Sequence, residues 1–240
     1  MKMRIIAFPF AGGNKYSFNF LKKSLDANQI SFDVLEYPGH GNRIRQPLLT
    51  DLNDIVQDAI EQMLRLLENH HGPYMVFGHS MGALVAYQVC SQIAEQGLLE
   101  PIRLVVSGSS APTQKEMERF HDLPMTTFWE KVSEFGGMPK EVLQDEQIKN
   151  FFEPILRADF EAIENYQYVP QEKLSLPIDV FYGTTDKIKQ EALHAWKQET
   201  KGEVNIRPLE GDHFFIYDHQ PFFIDYFQEL YRAQAIGSFA

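Results

Sequence analysis

The sequence is nearly free of cysteine: Cys90 is the only one among 240 residues, so no disulfide can form within the chain. It sits among apolar residues in a helical run, where a thiol reads as buried and inert rather than nucleophilic. Basic residues are scarce too. Lysine and arginine number 22 against 33 aspartates and glutamates, a net charge of −11, which speaks against a nucleic-acid or anionic-membrane binder while leaving room for a local basic patch. No apolar stretch approaches the roughly eighteen residues of a membrane span. The start, "MKMRIIAFPFAGG", imitates a signal peptide only superficially. Its apolar core is short, contains Pro9 and runs into a glycine turn, so it reads as a first β-strand. Internal repeats, low-complexity tracts and flexible linkers are missing as well. A monomeric protein of the cytoplasm, without metal or redox cofactor, is expected.

What is present is enough apolar material for one substantial core, 44% of the residues, and residues 1–240 read as a single domain. Strand-like runs recur at 4–10, 32–37, 74–79, 103–109, 178–183 and 204–210, several of them continuously apolar. Helical spacing fills 14–26, 51–69, 81–96, 187–199 and 221–234. Alternation of this kind implies an α/β fold, a mostly parallel central sheet flanked by helices, with active sites beyond the carboxyl ends of the strands. Residues 113–168 break the rhythm. They hold amphipathic helical patterns rich in Phe, Met and Trp, too long for a crossover, and read as a helical lid insertion after the fourth strand. Met117, Phe120, Phe128, Trp129 and Phe135 are expected to contribute an acyl-sized apolar channel under that lid or, failing that, a small satellite core.

The run "FGHSMGAL", residues 77–84, places Ser80 between Gly78 and Gly82. Chance alone produces G-x-S-x-G in about one chain in twenty of this length, so the context decides. A β-rich run precedes it and a helical run ending on glycine follows. A strand, an abrupt turn and a helix hold the tip residue in strained backbone, and bulk two residues to either side would collide there. Ser80 is therefore the candidate nucleophile, aimed from a helix N-terminus.

A serine hydroxyl needs a base, an acid to orient it and donors for an oxyanion. Of eight histidines, His70 and His71 read as helix-end residues, His79 is too constrained within the turn, and His40 lies in the "PGHG" turn. His121, His194 and His219 fall in helical or helix-start regions. His213 follows the last strand by three residues, on a loop at the carboxyl edge, and is the candidate base. Asp186 follows the preceding strand by three residues on a neighbouring loop and is the candidate acid. Asp212 adjoins His213 too closely to point at it well, and the loop after the fourth strand holds no carboxylate before Glu116. The oxyanion donors expected are the backbone N–H groups of Met81 and of Ala11 in the "FPFAGG" loop.

These pieces together resemble a type II thioesterase of nonribosomal peptide and polyketide assembly lines, in the α/β-hydrolase superfamily. The resemblance covers nearly the whole chain and rests on "FPFAGG", "YPGHGNR" at 37–43, "FGHSMGA" at 77–83, the helical lid, "YGTTD" at 182–186 and "GDHFF" at 211–215. It implies a triad of Ser80, Asp186 and His213 with Ala11 and Met81 as donors. The implied activity is hydrolytic release of acyl groups from the phosphopantetheine arm of acyl or peptidyl carrier proteins, the arm belonging to the substrate. Lys115, Arg119, Lys131, Lys140 and Lys149 are candidates for a basic carrier-docking cluster near the lid. The competing expectations are a medium-chain acyl carrier protein thioesterase of fatty-acid synthesis, a small-ester hydrolase, and a catalytically silent carrier-binding module.

Overall fold

A computed structural model describes residues 2–26, 30–114, 118–136 and 143–237. Six strands form one sheet: β1 (Met3–Phe8), β2 (Ile30–Val34), β3 (Tyr74–His79), β4 (Leu104–Ser107), β5 (Ile178–Gly183) and β6 (Val204–Leu209). Every neighbouring pair is parallel, in the order β2-β1-β3-β4-β5-β6. Parallel pairing demands crossovers, and helices supply them. α1 (Asn19–Asp26) and the C-terminal helix, Gln220–Gly237, cover one face, where Met3, Ile5 and Ala7 meet Leu21, Leu25, Phe223 and Phe227. α2 (Leu52–Leu67) and α3 (Met81–Glu95) cover the other, meeting Ile6 and Phe8. The alternation of β1 between two apolar faces explains the continuous hydrophobic run from Ile5 to Phe8.

Helix α3 is buried along almost its whole length, from Met81 to Ile93, and Cys90 lies within it. Burial pushes the Cys90 thiol well up, so it is the inert packed residue its neighbours suggest. Between β4 and β5 the chain adds α4 (Met125–Ser133) and α5 (Glu146–Asn165). Asp145 caps α5, its carboxylate accepting from the N–H groups of Gln147 and Ile148. After β5 come the short α6 (Gln190–His194) and, beyond β6, the C-terminal helix, α7 (Gln220–Gly237).

Some elements are shorter than their sequence patterns. The first helix begins at Asn19 rather than near 14, because Asn14 and Ser17 engage their own backbone: Ser17 Oγ accepts from the Asn14 N–H and Asn14 Oδ1 from the Tyr16 N–H. Strand β4 stops at Ser107, before Gly108 with φ +59°. The sheet order reverses direction between β1 and β3, the position at which an open parallel sheet leaves a crevice beyond its carboxyl ends.

Candidate active site

Five loops meet at that crevice, following β1, β3, β4, β5 and β6. In the β3–α3 turn Ser80 has φ 55° and ψ −121°, and it is the one non-glycine residue with positive φ among the described residues. The flanking glycines are needed for backbone reasons. A Cβ on Gly78 would lie 2.2 Å from the Gly82 carbonyl oxygen, and one on Gly82 would lie 2.0 Å from that of Phe8. Neither backbone oxygen can move aside as a flexible side chain could. The Ser80 N–H donates to the Ser107 carbonyl at 2.8 Å, which holds the strained turn against β4.

His213 is buried on the loop after β6, and its Nδ1–H donates to Asp186 Oδ2 at 2.8 Å. With the proton fixed on Nδ1, Nε2 is left as the basic nitrogen. Asp212 plays no part in this pairing. It is exposed, and its Oδ1 accepts from the Phe214 N–H at 2.8 Å. His79 packs within the site as a buried neutral ring, Nδ1 against Ser107 Oγ at 3.0 Å and its centroid 5.1 Å from that of His213. Desolvation, and then the neighbouring His213, hold its pKa well below the ordinary histidine value.

The loop after β1 makes a tight turn in which the Gly13 N–H donates to the Phe10 carbonyl at 2.8 Å. The next donor back, the Gly12 N–H, is taken by Asp159 Oδ2 of α5 at 2.6 Å. Among the described residues the Ala11 and Met81 N–H groups have no hydrogen-bond partner in the fold. Ala11, Ser80, Met81, Asp186 and His213 all line one cavity of about 600 Å³. The segment between β4 and β5 lines the same cavity with apolar side chains, Phe120, Val132, Phe135, Phe152, Leu156 and Phe160, and also with Gln114, Glu118, Lys131 and Glu134.

Of the lid residues singled out by their hydrophobicity, Phe120 and Phe135 line the cavity, with the Phe135 ring 5.3 Å from that of His213. Phe128 and Trp129 are instead buried in packing, Phe128 beneath the Arg157 guanidinium at 4.2 Å. Some of the segment's aromatic side chains thus line the cavity and others form a packed cluster beside it. Met117, Lys115 and Lys140 lie outside the described residues. Among the described residues Lys131 is paired with Glu118 at 2.9 Å and Lys149 with Glu146, while Arg119 is exposed. Asp159 and His40 were not legible as site residues. They pair at 3.0 Å across 119 residues of sequence, and a carboxylate in an amphipathic helix carries no local sign of such a partner.

A family model described as "Thioesterase domain" matches residues 3–231. The chain is 33% identical over 223 residues to the gramicidin S biosynthesis protein GrsT of Aneurinibacillus migulanus, covering 90% of this chain and 84% of the relative. Among solved structures, the RedJ thioesterase of the prodiginine pathway in Streptomyces coelicolor superposes with a TM-score of 0.83 at 31% identity, covering 89% of this chain and 84% of that one. ClbQ from the colibactin NRPS/PKS pathway gives a TM-score of 0.88 at 28% identity, over 98% and 99% of the two chains. The fold is thus the α/β-hydrolase fold with a helical segment after β4. With the match running from β1 into the last helix, and so across every loop that meets at Ser80, the chain belongs to the thioesterase domain family and is a thioester hydrolase.

Proposed function

We propose that the protein is a type II thioesterase that removes acyl groups from the phosphopantetheine arm of carrier proteins in a nonribosomal peptide or polyketide assembly line. The observation that carries the reading is the shared cavity: Ser80, the Asp186-paired His213, Ala11 and Met81 line it together with a group of Phe and Leu side chains from the segment after β4. The similarity to a gramicidin S biosynthesis protein and to pathway thioesterases supports the choice of substrate class.

In this mechanism Ser80 Oγ attacks the thioester carbonyl carbon while His213 Nε2 takes its proton. The Ala11 and Met81 N–H groups stabilise the oxyanion as the C=O π electrons move onto oxygen. Collapse expels the thiol, which receives the proton from His213, and leaves the acyl group on Ser80. Water, deprotonated by His213, attacks the acyl-enzyme, and Ser80 regains its proton as the free acid departs. Asp186 holds the imidazole tautomer and stabilises the imidazolium. A thiol with a pKa near about 8.5 leaves more readily than an alcohol, so the protonated base has less to do than in ester cleavage. The sequence of steps balances without metal or redox cofactor.

Hydrolysis of one acyl group on a holo carrier protein, on coenzyme A and on a short thiol tests the assignment. The carrier-bound thioester is expected to have the highest kcat/KM, because binding energy from the carrier can align the thioester against Ser80. Equal values on all three would leave a general thioesterase, and a sharp optimum for medium-length chains would favour a role in fatty-acid release.

A further inference from the structure

The motif "YPGHGNR" takes no part in the mechanism above, yet it delivers two buried ionisable side chains, Tyr37 and His40, to the back of the active-site loop. His40 and Asp159 are each 2% exposed, with Nε2 and Oδ2 3.0 Å apart. The second ring nitrogen, Nδ1, lies 2.9 Å from the Pro38 carbonyl oxygen. A carbonyl can only accept and a carboxylate accepts when ionised, so both ring nitrogens must donate and His40 is an imidazolium. The same Oδ2 atom of Asp159 also accepts from the Gly12 N–H at 2.6 Å.

We propose that the His40–Asp159 ion pair is a positioning device for the oxyanion loop, fixing the peptide planes on either side of Ala11 so that its N–H faces the reacting carbonyl. This rests on the serine mechanism proposed above. In a trans peptide the C=O and N–H point in opposite directions. The Phe10 carbonyl is held by the Gly13 N–H at 2.8 Å, which turns the Ala11 N–H of the same plane the other way. The following plane is held at its Gly12 N–H by Asp159. Two further contacts press on the same turn. Tyr37 Oη donates to the Pro9 carbonyl at 3.2 Å, and Leu156, one turn before Asp159 on α5, packs so closely under Gly12 that a Cβ there would lie 2.7 Å from Leu156 Cδ2. With φ +74° at Gly12, the turn also needs glycine for its backbone. Helix α5 therefore belongs to the catalytic frame rather than to a freely swinging cover.

The charged and titratable groups around His40 are Asp159 from α5, and Glu36 and Tyr37 from its own loop. Burial disfavours the imidazolium, but Asp159 outweighs it with support from the Pro38 carbonyl and Glu36, so His40 titrates above the ordinary histidine value. As pH rises through that value one ring nitrogen comes to face an oxygen without a proton, and the strut weakens.

The test compares wild type with Asp159→Asn and Asp159→Ala, using an acyl thioester of N-acetylcysteamine as substrate and an alkylboronic acid as a mimic of the tetrahedral intermediate. Active sites are counted by fluorophosphonate labelling so that misfolded protein does not enter. Both variants are expected to lose kcat by about 10- to 100-fold, with boronate affinity falling in parallel and KM changing less than about threefold. In Asp159→Asn, which retains an acceptor for the Gly12 N–H, the alkaline limb of kcat is expected to move to lower pH. Wild-type kcat and boronate affinity per active site in both variants would overturn the positioning role, as would a loss confined to melting temperature. Ser80→Ala is run alongside: undiminished hydrolysis by that variant would sink the serine mechanism and this inference together, whereas an inactive Ser80→Ala beside unimpaired Asp159 variants would sink this inference alone.

Discussion

Replacing Ser80 or His213 with alanine is expected to lower kcat on the order of a millionfold, and Asp186→Asn by about ten-thousandfold, in a thiol-release assay on folded protein. Asp212→Asn should stay near wild type, since that carboxylate caps the Phe214 N–H rather than holding the base. The opposite ranking of the two aspartates would reverse the acid assignment. The two buried histidines predict a stability profile as well. His79 has a folded pKa below its unfolded one, so below about pH 6.5 the unfolded chain binds more protons and stability falls as pH falls through that value. His40 has a raised folded pKa, so its contribution is full below about pH 6.5 and is lost as pH rises through the higher folded value. The melting temperature should therefore decline on both sides. His79→Asn, whose amide can still meet Ser107 Oγ, should flatten the acid side alone; an unchanged acid slope in that variant would assign the decline to other groups.

Among the elements, the segment between β4 and β5 divides into two parts of different firmness. Helix α5 is fixed by the Asp159 contacts and by Glu164, which accepts from the N–H groups of Phe120 and His121 and pairs with the His121 ring. Helix α4 is joined to it through two side chains, Phe128 against Phe160 at 6.1 Å and beneath the Arg157 guanidinium, and Trp129, whose Nε1–H donates to Glu153 at 3.3 Å. Hydrogen exchange is expected to be fastest in α4, slower in the second half of α5 and slowest in β1 and β3, with acyl-enzyme formation protecting α4 most. Uniform protection across both helices would mean that the cavity is closed by a rigid wall. The sheet was legible because buried parallel strands such as 74–79 and 178–183 read as mostly apolar, β-rich runs, and their bounds match the structure. Ser80, Asp186 and His213 were legible because each follows a strand by a short turn. The start of the first helix was not, since side chains of Asn14 and Ser17 compete with the backbone there. The His40–Asp159 pair was hidden because its two members stand on segments that only the folded chain brings together.

For the whole molecule, the charge of −11 sets how a partner approaches. Carrier proteins are typically acidic, so like-charge repulsion should slow encounter at low ionic strength. The kcat/KM on a holo carrier is expected to rise as salt increases from about 20 to about 200 mM, over which the screening length contracts to below about 10 Å, while the rate on a neutral short thioester stays flat. A fall with salt on the carrier would instead reveal a local basic docking patch that dominates the overall charge. The order of the strands along the chain has a consequence in time as well. The Ala11 loop and Ser80 belong to strands made early, whereas Asp186 and His213 follow β5 and β6, and β6 is an edge strand that can join only after β5 has docked. On the proposed mechanism, a chain emerging from the ribosome carries the proposed nucleophile and oxyanion donors long before the proposed base. Such a chain is expected to stay silent toward thioesters until the last strand has been laid down, and recovery of hydrolysis after denaturation should lag the return of helical signal by the time that strand takes to pair.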